Sequence, residues 1–403
     1  MQEKICLICN WYPIKLISTA CILPCRKYLS IEKSAATNVK KTIVHIIDNM
    51  ARGGAETMLA NVIRQLPEYN NIIVTLYPQN EFGKELDAIP IHCLYLRSRF
   101  QLPLAAIKLR RFISKNNVHI VHSHLLWSTV VARMGTPKKI PLITTIHTYA
   151  AAAIEYSKWY MRLLEKFTYS IRKSIIISVA NVSLQAYFNV LGINPYKAYI
   201  LHTFADTAIF NNNNNSKKTT STEMFRLVTV GNLKEAKNYF FLLNAFKKLQ
   251  QQNISLDIYG KGPLDVPMQK MIDEYGLNVT LKGQVANVQE IIKKYDLFVM
   301  SSIYEGFSIS VLEAMALGMP LLLSDIASFR EQCEDTAVYF KLQDSEDFIT
   351  KVLALVNDQQ QREMLGAAAK KRMVQNFTID KHMQQLKKIY TNALSSVEQP
   401  ALS

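Results

Sequence analysis

Two hydrophobic periods alternate along the chain. Short β-rich runs are apolar almost throughout: KTIVHIID (41–48), IIVTLY (72–77), VHIVHSH (118–124), LITTIH (142–147), IIISVA (175–180) and YILHTF (199–204). Between them lie stretches with apolar residues at helical spacing, among them TMLANVIRQL (57–66), KLRRFISKN (108–116) and KWYMRLLEKFTYSIRKS (158–174). A polar stretch from the run Asn211–Asn215 to Glu223 interrupts the alternation and reads as a linker. A second series follows, with strands FRLVTVGN (225–232), SLDIYGKG (255–262), NVTLKG (278–283), DLFVMSS (296–302) and PLLLSD (320–325). Helical patterns YFFLLNAFKKLQQQ (239–252), VQEIIKKY (288–295) and ISVLEAMALG (309–318) separate these strands. Apolar strands alternating with amphipathic helices build a parallel sheet covered on both faces. The pattern therefore predicts an α/β chain of two doubly wound halves, with a ligand cleft at the carboxyl ends of the strands.

Length agrees, since 403 residues exceed the usual single domain more than twofold. Residues 1–40 stand outside the pattern. Their apolar run, WYPIKLISTACILPC, is too short and too interrupted by Pro13, Lys15 and Pro24 to span a membrane. It also lacks a well-formed signal peptide's charged start and small-residue cleavage site. The stretch reads as a leader of uncertain structure. Its cysteines, Cys6, Cys9, Cys21 and Cys25, have zinc-compatible spacing but no zinc-fold pattern around them. Only Cys93 and Cys333 remain in the body, which points to a reducing, cytoplasmic compartment.

Charge adds an asymmetry. Residues 1–203 hold 25 Lys and Arg against 10 Asp and Glu, so the entire formal excess of +15 falls in that half. Such a bias implies an anionic partner: nucleic acid, a membrane surface or a phosphorylated substrate.

Several strand-end features carry candidate chemistry. In MARGGAE (50–56), Gly53 and Gly54 let backbone N–H groups approach an anion at a helix start, although a plain tight turn fits equally. VGNLKEAKNY (230–239) occupies the corresponding place in the second half, where Lys234 and Lys237 are within reach of a phosphate. GKGP (260–263) is another strand-end glycine turn. His147 ends a strand at the cleft mouth. His122 and His124 share one strand face, but a metal site there requires a third ligand that the sequence does not single out. In EGFSISVLEAMALGMP (305–320), Glu305 and Glu313 stand eight residues apart. A helix would set that separation at about 12 Å, beyond the roughly 5–9.5 Å of a glycosidase carboxylate pair. The spacing favours two separate grips on an extended ligand, with the Gly306–Ser308 amides between them.

Taken in order and spacing, GGAE, the TxH segment at His147, VGNLxxxKN, GKGP and EGFSISVLEAMALGMP resemble the retaining GT-B glycosyltransferases of family 4, glycosyl transferases group 1. The resemblance covers about residues 41–395. It implies two Rossmann-like domains flanking a cleft: an acceptor-binding domain over 41–203 and a nucleotide-sugar-binding domain over 204–378. A final helix over 379–396 would pack back on the first domain. It further implies transfer of a sugar from a nucleotide-sugar donor, UDP- or GDP-linked, with retained configuration and without cofactor or metal. Glu313 would hold the ribose, and Glu305 with the amides of Gly306, Phe307 and Ser308 the transferred sugar. Lys237 and Gly54 would meet the diphosphate, and His147 would stand beside sugar and acceptor. Asn232 replaces the family's usual Arg, so Lys237 and Lys234 carry more of the neutralisation. Thr148 replaces an Asp after His147, and Thr203-Phe204-Ala205 replaces the usual Asn-Gly before the second domain.

The basic first half, with aromatic and basic residues interleaved on its helices, suits a peripheral protein at the inner face of the cell membrane acting on a lipid-linked or cell-envelope glycan. Two rival classes remain at this stage: a GT-B-fold sugar-nucleotide epimerase, and a nucleic-acid-binding protein, although the chain carries no recognisable binding module.

Overall fold

The computed structural model describes residues 40–149, 154–205, 224–285 and 287–398; the leader with its four cysteines and the Asn-rich linker lie outside the described residues. The first sheet has seven parallel strands: β1 (Thr42–Ile47), β2 (Asn70–Thr75), β3 (Ile91–Cys93), β4 (Val118–His124), β5 (Leu142–Ile146), β6 (Ile175–Ser178) and β7 (Lys197–Ile200), in the order β3-β2-β1-β4-β5-β6-β7. The second has six: β8 (Phe225–Val230), β9 (Ile254–Tyr259), β10 (Val279–Gly283), β11 (Leu297–Met300), β12 (Leu321–Ser324) and β13 (Val338–Phe340), in the order β10-β9-β8-β11-β12-β13. Both reverse direction beside their first strand, at β1/β4 and at β8/β11. That switch is where a doubly wound sheet opens a crevice at its strand ends.

The strands fall where the apolar runs fall. β1, β11 and β12 are buried at every position, as strands covered on both faces must be. The pattern did not single out β3 and β13, each three residues long at a sheet edge. Such strands are too short to establish a period, and β3 leaves Ile91 and His92 exposed.

The halves share one continuous core. Met58, Leu201 and Phe204 from the first half pack in the same cluster as Phe307, Met315 and Phe377 from the second, and Lys40–Ser403 forms a single compact unit. The chain crosses between halves twice, side by side: Ala205 N–H donates to the Phe377 carbonyl (3.3 Å), and Ala205 bridges Thr378. The last helix, Ile379–Glu398, then returns to the first sheet. There the Tyr390 hydroxyl meets His122 Nδ1 (2.8 Å), and Lys387 pairs with Glu68 (2.6 Å).

A polar clamp fixes the other side of the junction. Glu331, on the second-half helix Ala327–Cys333, accepts hydrogen bonds from the backbone N–H groups of Asn181 (2.6 Å) and Val182 (2.9 Å). These open the first-half helix Asn181–Leu191, which has no side-chain cap of its own. A carboxylate there satisfies orphan donors and faces the positive end of the helix dipole. Burial pushes the Glu331 pKa up, but His202 and the two amides more than offset it, and the group titrates below its usual range. Glu331→Ala removes an interdomain cap. We expect a loss of about 1 kcal/mol and a melting temperature lower by a few degrees, measured by calorimetry; an unchanged melting temperature would show that the clamp does not hold the halves.

Candidate active site between the two sheets

In the second half, three glycines let strand-end loops stack backbone on backbone. Gly260 has φ +146° and lies against the Gly231 carbonyl, and Gly262 lies against that of Leu233; a Cβ at either would collide with those backbones. The loop after β8 is thereby pressed into a short 3-10 turn, Glu235–Lys237. Asn238 follows with φ 55°, a left-handed residue that swings the chain into helix Tyr239–Lys248.

That turn presents Lys237 to Glu305, Nζ to Oε1 2.5 Å, with both side chains largely buried. Ser302 Oγ also donates to Glu305 (2.7 Å). The two loops are stitched by Ser301 Oγ, which donates to the Lys237 carbonyl (2.8 Å), and by Ile303 N–H to the Ala236 carbonyl (2.8 Å). Two residues singled out by sequence thus form one ion pair at the carboxyl edge of β8 and β11.

Glu313 lies inside helix Ile309–Ala316, where Gln289 Nε2 donates to it at 3.3 Å. Burial pushes its pKa up to about 7. The segment before this helix is more constrained than the sequence reading supposed. Ser308 N–H donates to Gln332 Oε1 (3.0 Å), and Gln332 Nε2 donates back to the Ser308 carbonyl (2.8 Å). The Ser308 amide therefore bonds to a buried side chain of the same half. The Phe307 ring packs between His202 (5.0 Å) and Phe377 (5.2 Å), leaving its backbone as the part that faces other tasks.

The first half contributes opposite. Gly53 precedes helix Gly54–Arg64, whose start has no side-chain cap. Gly54 stands 3.9 Å from Ile309, measured from its would-be Cβ to Cδ1, so two helix N-termini from different halves approach one another. Glu56 lies over Gly53; burial raises its pKa, and Lys234 of the second half attracts it from across the cleft. His147, just beyond β5, meets His124, Nε2 to Nδ1 3.2 Å. Burial and the nearby His382 hold His147 down at about 4, so it is neutral at pH 7. Its carbonyl closes directly on Gly306, where any Cβ would overlap it. The Asn232 side chain is exposed at the turn after β8.

A cavity of about 240 Å³ opens beside His147 and Thr148 on the first-half side, lined also by Asp48, Trp127, Glu165 and Tyr187. Its floor is a buried network that the sequence reading did not identify. Arg133 Nη1 donates to Glu165 (2.8 Å), Arg133 Nη2 to the Tyr187 hydroxyl (3.1 Å), and that hydroxyl to Glu165 (2.5 Å). Arg133 in the otherwise apolar run STVVARMG was the available signal, because a buried guanidinium must find a carboxylate.

Comparison with known proteins agrees with this geometry. Residues 211–372 match the family described as "Glycosyl transferases group 1" and residues 52–209 match "Glycosyltransferase Family 4". The chain is 26% identical over 310 residues to a putative glycosyltransferase, EpsF, of Bacillus subtilis, covering 71% of this chain and 79% of that one. It is 24% identical over 312 residues to the UDP-Gal:alpha-D-GlcNAc-diphosphoundecaprenol alpha-1,3-galactosyltransferase of Escherichia coli, covering 70% and 78%. Its fold matches Anabaena HepE in complex with UDP, with a TM-score of 0.74 at 16% identity over 87% of this chain and all of that one. The chain belongs to the family 4 GT-B glycosyltransferases. It is a glycosyltransferase of two Rossmann-like halves.

The Glu313 carboxyl generates a pH dependence. An acid whose folded pKa exceeds its unfolded value binds its proton more tightly in the folded state. Its contribution to stability is fully present below about 4.5 and is lost as pH rises through about 7. A diol that donates hydrogen bonds prefers the ionised form. Nucleotide affinity, measured by calorimetry, should therefore rise several-fold from pH 6 to pH 8. In Glu313→Gln it should be weak and flat across that range; a wild-type affinity independent of pH would refute the assignment.

Proposed function

We propose that the protein moves a sugar from a UDP- or GDP-linked donor to a glycan or lipid-linked acceptor with retention of configuration, in the assembly of a cell-envelope polysaccharide. The observation that carries this reading is Lys237, anchored by Glu305 at the end of β8, with the start of helix Gly54–Arg64 contributed by the other half. A leaving diphosphate needs positive potential as its charge develops, and pre-organised donors supply it without reorganisation. Lys237, Lys234 and the Gly54 end of that helix take this role, because Asn232 brings no charge. Glu313 receives the ribose hydroxyls. Glu305, with the Gly306 and Phe307 backbone, holds the sugar. His147 borders both the sugar and the 240 Å³ cavity, which we assign to the acceptor. As a neutral imidazole it accepts or donates one hydrogen bond without competing for the diphosphate.

The acceptor reading draws on the first half's surface. Helix Trp159–Ile171 leaves Trp159, Leu163, Phe167 and Ile171 exposed, at 73%, 57%, 59% and 53%, beside exposed Lys158, Arg162, Lys166 and Lys173. Helix Leu102–Lys115, which packs with it against helix Leu126–Gly135, exposes Leu104 and Ile107 beside Lys108, Arg110 and Arg111. Apolar side chains flanked by cations suit an anionic bilayer surface, where each basic residue adds about 1 kcal/mol. No helix among the described residues is long and apolar enough to cross a membrane. A diphosphoundecaprenol-linked acceptor, the substrate class in the name of the Escherichia coli relative, would lie at such a surface.

Two experiments test the parts separately. Donor hydrolysis and transfer over a panel of UDP-, GDP- and ADP-sugars should select one donor, with NMR of the transfer product giving the anomeric configuration. Lys237→Ala should lower turnover by about 10²–10³ with little change in nucleotide affinity. An isomeric sugar nucleotide formed without acceptor would make the protein an epimerase instead. In vesicle flotation the protein should float with anionic and not with neutral vesicles, and a Trp159→Ser, Leu163→Ser, Phe167→Ser variant should stay at the bottom. Equal flotation with neutral lipid would remove the membrane reading while leaving the donor chemistry standing.

A further inference from the structure

Five of the eight histidines, His45, His122, His124, His147 and His382, line one small cavity beneath the cleft floor. Strand register creates the cluster. His45 on β1 is the direct neighbour of His122 on β4, and His124 follows two residues on, so all three share a sheet face. Helices Gly54–Arg64 and Ile379–Glu398 cover that face through Met58, Val62 and Leu386, and the three rings are buried.

Their nitrogens are unevenly satisfied. The Asn71 amide is oriented by Nδ2, which donates to the carbonyls of Leu66 (2.8 Å) and Tyr69 (3.4 Å). Its Oδ1 must therefore accept from His45 Nε2 (3.2 Å), which places the proton on Nε2. His45 Nδ1 then carries a lone pair, and it is buried without a partner. His124 Nε2 is likewise buried and unpartnered, while its Nδ1 meets His147. His122 bonds only to hydroxyls, those of Tyr390 and Thr145, and the Thr145 hydroxyl can swing away about χ1 to release Nε2. One nitrogen from each of the three rings lies within 4.8 Å of the others'.

We propose that His45, His122 and His124 form a binding site for one first-row divalent transition-metal cation, with Zn(II) the natural occupant. An all-imidazole donor set suits zinc, copper, iron and nickel and disfavours magnesium or calcium. A tetrahedral zinc with bonds of about 2.0–2.1 Å asks for nitrogens about 3.3 Å apart, which small ring rotations supply. The enclosed space, about 20 Å³, holds one water-sized occupant. Burial keeps the three imidazoles neutral, the form that ligates.

The site has a consequence for the cleft. With Nε2 on the cation, His124 carries its proton on Nδ1 and donates it to His147 Nε2. The cation thus fixes the tautomer of His147, leaving that residue's Nδ1–H as a donor, in the manner of a ligand oriented by its outer partner. It would also tie β1 and β4 together beneath the C-terminal helix.

The test uses the full-length protein, stripped with chelator and titrated with Zn(II) by calorimetry and with Co(II) by visible absorption. The expected result is one saturable equivalent and the intense d–d bands of a tetrahedral Co(II) site. Affinity should fall at least tenfold in both His45→Gln and His124→Gln and stay unchanged in His92→Ala, which lies outside the cluster. Circular dichroism reports folding of each variant. If one variant unfolds, the other and the wild-type Co(II) spectrum decide. Absence of saturable binding by the wild type, or equal binding by both folded cluster variants, overturns the proposal. These readouts stand whether or not the protein transfers sugar.

Discussion

Gly306 packs so tightly against the carbonyl of His147 that a Cβ there would overlap it, and most of the site is arranged around this contact between the halves. A side chain at position 306 would push the halves apart, and with them the facing helix starts at Gly54 and Ile309. Because two main chains meet there, the distance between the two halves is set by backbone geometry rather than by flexible side chains. Binding groups held in that way lose little on ordering when a substrate arrives.

Around that contact the protein uses its acids unlike one another. Glu331 is spent on a helix start of the opposite half and serves cohesion. Glu305 is tied to Lys237 and Ser302 and holds the lysine in place. Glu313 has no such cation: burial alone sets its titration. Glu313 is held by one hydrogen bond of 3.3 Å from Gln289, whereas Lys237 and Ser302 both meet Glu305 on Oε1. The eight-residue spacing separates two environments as well as two positions.

Much of this was legible in the sequence, since long apolar strands and strand-end glycines report directly on a parallel sheet and on close backbone approach. Two strands of three residues escaped, because a period cannot be read from so few positions. Lys237 and Glu305 were each identified, but their pairing depends on loops 68 residues apart in the chain. The partner of the Ser308 amide was not legible, because Gln332 lies in another helix and carries no motif. His45 passed unremarked as one polar letter in KTIVHIID. Only β1–β4 register sets it beside His122, and register between non-adjacent strands is not written in local pattern.

The chain's crossings constrain how such a molecule can move. Ala205, the last described residue before the linker, and Phe377–Thr378 are hydrogen-bonded neighbours. Just beyond them, His382 Nδ1 meets the His202 carbonyl at 2.8 Å, and the same helix later reaches His122 through Tyr390. Phe307 packs on His202 and Phe377 at this point as well. Rotation of one half against the other would therefore also strain the packing of Phe307. An opening that strains this point would displace Gly306 from His147 and part Gly54 from Ile309 together, because both approaches join the same two halves.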